Sequence, residues 1–267
     1  MPDWHVHELH SRMPPGAVAG GVAVVIDVLR ASTTIVTALE SGAVAVVPVA
    51  DVDAARRRAA ALGGAALLGG ERGGRPIAGF DLGNSPAEYT PGRVAGRIVV
   101  ITTTNGTAAL AACRGAREVL VGAIVNRSAV AAAARRFAAD GAAVHLVCAG
   151  TDGMVTEEDV LAAGAILEAA DVEGAGDRLD APAAAALAAW RAVVARGALP
   201  AALGEAFRRA RGGANLVALG MASDLALAAA LDTRRTVPRL DAVTGGLAPD
   251  GGAAPASGAS GEAFRGR

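Results

Sequence analysis

The sequence contains no lysine: all 25 of its basic residues are arginine. A lysine Schiff base and the lysine of a phosphate-binding P-loop are therefore unavailable, and no G-x-x-x-x-G-K-[ST] pattern occurs. Cysteine is nearly as scarce. Cys113 and Cys148 stand far apart, neither has metal-ligand spacing, and a reducing cytoplasm is the expected compartment. Net charge is missing too. At −1, the chain has no strong field to draw it to nucleic acid or to an anionic membrane. No apolar run reaches the roughly 18–20 residues of a membrane span. The first ten residues, MPDWHVHELH, are too polar for a signal peptide.

Several common catalytic patterns are absent as well. A cysteine phosphatase places arginine six residues after its cysteine, but Met154 and Val119 occupy those positions here. A D-x-D phosphatase would need an acid at 29, where Leu29 stands. There is no G-x-S-x-G, and His145 falls inside an expected strand rather than after one, which leaves a serine triad unsupported. His5, His7 and His10 read as residues of an edge strand rather than as metal ligands.

What is present is a 267-residue chain that is 52% hydrophobic, enough to bury a full core. The apolar, β-branched run at 22–28 predicts a buried strand, 44–49, 97–103, 118–124 and 143–149 read as further strands, and ALLGG at 66–70 reads as a strand running into a glycine-rich loop. Helical stretches follow them: the segment opening at Ser32 or Thr33 as cap and ending at Gly42, then 51–62, about 105–113, 127–139 and 156–170. After 170 the pattern is helical, including 181–195, and 236–241 reads as a closing strand. The alternation predicts an α/β fold in three α/β/α layers, with a mostly parallel or mixed sheet. Residues 1–245 would form one catalytic domain, with two lobes as the alternative division. The Gly/Ala/Pro/Ser-rich stretch 246–267 would be a disordered tail.

Two stretches read as copies. VVIDVLRASTTIVTALESGAVAVVPV and VVITTTNGTAALAACRGAREVLVGAI both run strand, polar turn, helix, Gly-Ala, strand, with Ile26 matching Ile101 and Gly42 matching Gly115. An internal βαβ quasi-repeat is one reading, and the general likeness of βαβ units is the other. Either way, both polar turns fall at strand C-termini, where open α/β sheets bind ligands.

The polar residues gather at those ends. In IDVLRASTT, Asp27, Arg30, Ser32, Thr33 and Thr34 combine an acid, a forked cation and a hydroxyl-rich helix start, which reads either as an ordinary capped helix with a surface arginine or as a set able to hold a metal and a phosphate together. The loop GGERGGRPIAGFDLGNSPAEYT holds Glu71, Arg72, Arg75, Asp81, Asn84 and Ser85 among six glycines. Glu71, leaving a strand beside glycines, is a metal-ligand candidate, and oxygen donors with so little Cys or His nearby favour Mg²⁺ over Zn²⁺. In TTTNGT, the hydroxyls of Thr103 and Thr104 and the N–H groups around Asn105 and Gly106 would form an anion cradle, with Asn105 and Gly106 in turn geometry. In CAGTDGMVTEEDV, Thr156 and Asp159 have capping-box spacing, which leaves Asp152 unexplained.

Together these segments, in order from about Val22 to Asp241, resemble the 2-phosphosulfolactate phosphatases. The resemblance implies a Mg²⁺-dependent phosphomonoesterase that cleaves 2-phospho-3-sulfolactate to sulfolactate and phosphate, a step of coenzyme M synthesis. It carries over to Asp27, Arg30, Glu71, Arg72, Asn84, Ser85, Thr103, Thr104, Asn105 and Gly106. Asp27, Arg30 and Glu71 would be catalytic, with Asp27 and Glu71 on the metal. Ser32, Thr33 and the remaining residues of the set would bind substrate, and the arginines would neutralise its sulfonate and carboxylate. A different class also fits the residues: a binding domain that holds a small phosphorylated acid without cleaving it. The apolar content suits a homodimer.

Overall fold

The computed structural model describes residues 1–251. The chain opens with β1 (Asp3–His7) and β2 (Val22–Ile26), then α1 (Ala31–Glu40), β3 (Ala45–Pro48), α2 (Val52–Leu62), β4 (Ala66–Arg72) and β5 (Arg75–Pro76). A short α3 (Pro91–Val94) leads to β6 (Ile98–Thr102), α4 (Gly106–Ala112), β7 (Glu118–Gly122), α5 (Arg127–Phe137) and β8 (Val144–Cys148). The remainder is α6 (Glu157–Ala169), β9 (Arg178–Leu179), α7 (Ala181–Val194), α8 (Leu199–Arg209), α9 (Arg211–Ala218), α10 (Ser223–Ala228), β10 (Pro238–Leu240) and β11 (Leu247–Pro249).

The strands form one mixed sheet in the order β5-β4-β6-β3-β11-β10-β7-β2-β8-β1-β9. This order is informative. Take β2, β3, β4 as the first copy of the suspected repeat and β6, β7, β8 as the second. The first strand of each copy is then flanked by the second and third strands of the other: β6 lies between β4 and β3, and β2 between β7 and β8. Exchanging the copies and reversing the order returns the same arrangement. Each trio is parallel within itself, and the antiparallel β10–β11 hairpin joins the two through the pairs Arg239↔Leu120 and Leu247↔Val46. The duplication seen in the sequence is thus a pseudo-twofold topology. Its two equivalent switch points are the turns after β2 and after β6.

The core explains how those turns meet. Alternate residues of β2 face opposite sides: Val22, Val24 and Ile26 pack under α5, α6 and α7, while Ala23 and Val25 join a second cluster. That second cluster holds Ile35, Val36 and Leu39 of α1, Ala109 and Leu110 of α4, and strand residues from both halves. Each large aliphatic side chain buried there contributes about 1.5–3 kcal/mol. The two helices that leave the switch points therefore share one core, and their first residues come together.

Some expectations change. Ser32 and Thr33 do not cap α1, whose N-cap is Arg30. Ser32 Oγ accepts the Asp27 N–H at 2.9 Å and Thr33 Oγ1 donates to the Val28 carbonyl at 2.8 Å, so both fasten the turn to the helix it precedes. The stretch expected as tail from 246 begins inside the sheet: Leu247 and Ala248 are buried in β11. The rest of the expected tail, 252–267, lies outside the described residues. β1 is not the edge either, since β9 lies beyond it, and His10 sits in a 3₁₀ turn after the strand.

His5, His7 and His145 instead form a ladder across β1 and β8. The rings of His5 and His145 stack at 4.9 Å, and His7 Nε2 lies 3.1 Å from His145 Nδ1. Burial foremost, with His5 and His7 alongside, holds His145 down to about 4, while Asp180 opposes. The folded chain keeps this imidazole neutral, whereas the unfolded chain protonates it near 6.5. Folding stability supplied by the neutral ring is complete above pH 6.5 and is lost as pH falls toward 4. Thermal melts from pH 7.5 to 4.5 should show a steeper acid loss for the wild type than for His145→Asn. Parallel curves would remove His145 from the acid response.

Candidate active site

A cavity of about 320 Å³ opens where the two switch points meet. The first copy supplies Asp27, Leu29, Arg30 and Glu71 with Gly73 and Gly74. The second supplies Thr104, Asn105, Thr151 and Asp152. The far wall is α9, with Gly212, Asn215 and Leu216. This is a ligand position that an open α/β sheet provides by its topology, here formed by both copies at once.

Asp27 stands at the end of β2 and is buried. Its Oδ1 accepts the Ala31 N–H at 3.2 Å, the first free donor of α1. Its Oδ2 accepts no hydrogen bond among the described residues and lies against Gly106. Burial, then the negative charges of Asp159 and Glu71, push the Asp27 carboxyl up to about 8, against the Ala31 N–H and Arg30. Asp159 lies behind the turn. It takes the Val28 and Gly150 N–H groups at 2.9 Å each, and the Thr156 hydroxyl at 3.3 Å. The capping-box spacing of Thr156 and Asp159 is thus used differently: Asp159 ties the two copies' loops together, and Thr156 makes no side-chain cap. Burial raises Asp159 and Glu158 as well. Asp159 has donors on both oxygens and holds the negative charge best, which leaves Asp27 short of compensation.

Glu71, also buried, organises the opposite lip. Its Oε1 accepts the Thr104 N–H at 2.6 Å, and its Oε2 accepts the Gly74 N–H at 2.7 Å and the Thr104 hydroxyl at 3.1 Å. One carboxylate therefore fixes the glycine turn of the first copy and the helix start of the second. The glycine turn needs its composition: Gly73 and Gly74 have φ of +56° and +78°.

The arginines are committed. Arg30 makes a buried ion pair with Asp224 of α10 at 3.0 Å, with its other nitrogen on the Gly74 carbonyl at 2.6 Å. Ser85 donates to the second oxygen of Asp224 at 2.6 Å. Arg72 donates to the Glu71 carbonyl and to Thr102 Oγ1, at 2.7 and 2.8 Å, and does not line the cavity. Asn84 lines it, and its buried Oδ1 has no partner among the described residues.

Within TTTNGT the roles divide. Thr104 and Asn105 reach the cavity. Thr103 does not; its hydroxyl oxygen accepts the Thr107 N–H at 3.2 Å and so serves the first turn of α4. The turn geometry expected of Asn105 and Gly106 is absent. Asn105 has φ −115°, and Gly106 is helical and outside the left-handed set. Gly106 is needed for space: a Cβ there would lie 2.6 Å from Ala31 Cβ and 2.7 Å from Asp27 Oδ2. Ser32, Thr33, Arg75 and Asp81 stand outside the cavity. Sequence reasoning missed Asp224 and the α9 wall, because an aspartate in SDL reads as a helix-start residue and RGGAN carries no recognisable spacing.

Residues 8–242 match the family model described as 2-phosphosulpholactate phosphatase. A probable 2-phosphosulfolactate phosphatase of Deinococcus radiodurans is 48% identical over 221 residues, covering 82% of this chain and 87% of the relative. Proteins with the same designation from Gloeobacter violaceus and Symbiobacterium thermophilum are 41% and 40% identical; they cover 81% and 84% of this chain, and 87% and 93% of their own lengths. With Asp27, Glu71 and the second copy's Thr104–Asn105 at the meeting of its switch points, this chain belongs to the 2-phosphosulpholactate phosphatase family.

Proposed function

We propose that the chain is a Mg²⁺-dependent phosphomonoesterase that hydrolyses 2-phospho-3-sulfolactate to 3-sulfolactate and inorganic phosphate. The substrate is taken from the designation its relatives carry. The observation that supports the chemistry is the charge of the cavity. Asp27 and Glu71 enter it, Asp159 stands behind, and the nearest arginine, Arg30, is already matched by Asp224. Such a floor repels a phosphate ester unless a cation comes between them.

The donors suit a hard cation. They are all oxygen, and Asp27 Oδ2 accepts no hydrogen bond among the described residues, so the charged form of Asp27 lacks compensation until a cation binds. No cluster of three or more His, Cys, Asp or Glu converges among the described residues, and Mg²⁺ needs only one or two carboxylates beside water and phosphate oxygens. Asp27 would hold the ion, with Glu71 reaching it through water since its oxygens already accept hydrogen bonds. Bound there, Mg²⁺ would neutralise phosphate oxygens and ease the build-up of charge as the ester bond breaks. The chain's own part is positional. Glu71 holds Thr104 and the start of α4 toward the phosphate, the Arg30–Asp224 pair locks α10 against the glycine turn, and Leu216 and Leu219 exclude water on the far side.

No helix among the described residues is long and apolar enough to cross a membrane. Cys113 and Cys148 are both free and buried, which suits a reducing cytoplasm. The direct test is phosphate release from 2-phosphosulfolactate by the purified chain, with Mg²⁺ and with EDTA. Turnover that needs Mg²⁺ is expected. Equal turnover in EDTA would remove the metal, and substrate binding without release would make the chain a binding domain.

A further inference from the structure

The substrate named above carries a sulfonate and a carboxylate as well as its phosphate, and the committed arginines leave those two groups unmatched. Two arginine–carboxylate pairs each place one member in the cavity lining, Arg30 of the pair with Asp224 and Asp152 of the pair with Arg211, and they differ in exposure. Arg30 and Asp224 are almost fully buried, with side chains 3% and 2% exposed. Arg211 and Asp152, 3.2 Å apart, are about half exposed, at 51% and 55%. Removing one partner of a buried pair leaves an uncompensated charge and is strongly destabilising. A solvent-exposed pair is held by little and can change partners.

The exposed pair is also in the right place. Asp152 lines the cavity, and so does Gly212, the neighbour of Arg211 at the start of α9. Asn215, one turn on from Arg211 along the same helix face, lines it too. The two partners come from separate elements. Asp152 is held at φ +53° in the turn closed by Thr151 and Met154, while the Gly212 N–H rests against the buried Glu158 carboxylate at the base of α6. Arg211 is thus mounted on a wall that is itself anchored, and its half-exposed guanidinium is held by Asp152 from the facing turn.

Building on the phosphatase reading, we propose that Arg211 is the specificity-determining residue for the acidic end of the substrate remote from the phosphate, with Asp152 as its resting counter-ion. The planar guanidinium fork matches two oxygens of a sulfonate or a carboxylate. Before binding, Asp152 occupies that fork and keeps an exposed arginine oriented at the cavity rim. On binding, the acidic group displaces Asp152, whose side chain turns to water. No bond is made or broken, and the exchange swaps one half-exposed ion pair for another that is more enclosed.

The test compares two substrates. Arg211→Gln should raise KM for 2-phosphosulfolactate by about ten- to a hundredfold, the worth of a hydrogen-bonded charge contact, with kcat within about threefold. With p-nitrophenyl phosphate, which has neither acidic group, KM should change far less. Asp152→Asn should lower KM for 2-phosphosulfolactate by about two- to threefold, because the fork no longer has to be vacated. An equal change of KM on both substrates in Arg211→Gln, or no change on either, would overturn the assignment while leaving the phosphatase reading intact. No turnover by the wild-type chain on either substrate would overturn the phosphatase reading and this assignment with it.

Discussion

Asp27→Asn should lower kcat/KM by about a thousandfold and at the same time raise the melting temperature of the metal-free chain. The two effects share one cause. Asp27 is buried, faces Asp159 and Glu71, and has an oxygen with no donor, so its negative charge is costly until a cation arrives. An amide keeps the shape and removes the charge. Relief of ~1–2 kcal/mol corresponds to roughly 2–8 °C for a domain of this size. The pH dependence has a definite sign. A carboxyl raised from its ordinary 3.8 to about 8 favours the folded state at low pH, and that contribution is lost as pH climbs from about 4 to 8. The stabilising effect of the variant should therefore grow across that window. Added Mg²⁺ should stabilise the wild type and leave the variant unmoved. Full activity of Asp27→Asn in EDTA, or a melting temperature below that of the metal-free wild type at pH 8, would show that Asp27 has another role.

Gly106→Ala is the second large effect, and it acts by volume. The added methyl would lie 2.6 Å from Ala31 Cβ, 2.7 Å from Asp27 Oδ2 and 3.3 Å from Thr103 Oγ1. Ala31 begins α1 and cannot rotate away, so the two switch turns must separate. Overpacking of this kind costs ~1–3 kcal/mol, partly offset by alanine's better helix propensity. Activity should suffer more, by about a hundredfold, because a shift of about an ångström misplaces Asp27 against Thr104. Gly204→Ala in α8 is the matched control, since a Cβ there meets nothing within 4 Å. It should be neutral or stabilising and fully active. If Gly106→Ala behaves like Gly204→Ala in both melting and turnover, close approach of the two turns is not required.

Much of this was legible because strand ends announce themselves. The apolar runs before Asp27 and Thr102 mark buried strands, and a polar residue directly after such a run has few places to go but the ligand face of the sheet. The copy relation was legible from the offset between Ile26 and Ile101. Its consequence was not, because strand order depends on which copy's strands pair, and β-branched runs pair with one another equally well. Hydroxyl roles were only half legible. Thr103 and Thr104 are neighbours of one type, yet one serves a helix turn and the other meets Glu71 at the cavity; a one-residue difference in direction decides it. Arg30 read as a substrate-facing fork, and nothing near it in sequence foretold Asp224, 194 residues away. β11 was hidden by composition, since GGLAPDGG reads as linker, while Leu247 is buried against Val46 of β3 and helps close the two halves.

The central claim is that the two copies' turns form one site in which a cation on Asp27 makes an acidic floor accept phosphate. Calorimetric titration of inorganic phosphate into the wild-type chain, with and without Mg²⁺, and into Asp27→Asn with Mg²⁺, tests it most directly. Phosphate should bind the wild type only with Mg²⁺ present and should fail to bind the variant. Binding of equal strength in all three samples would contradict it.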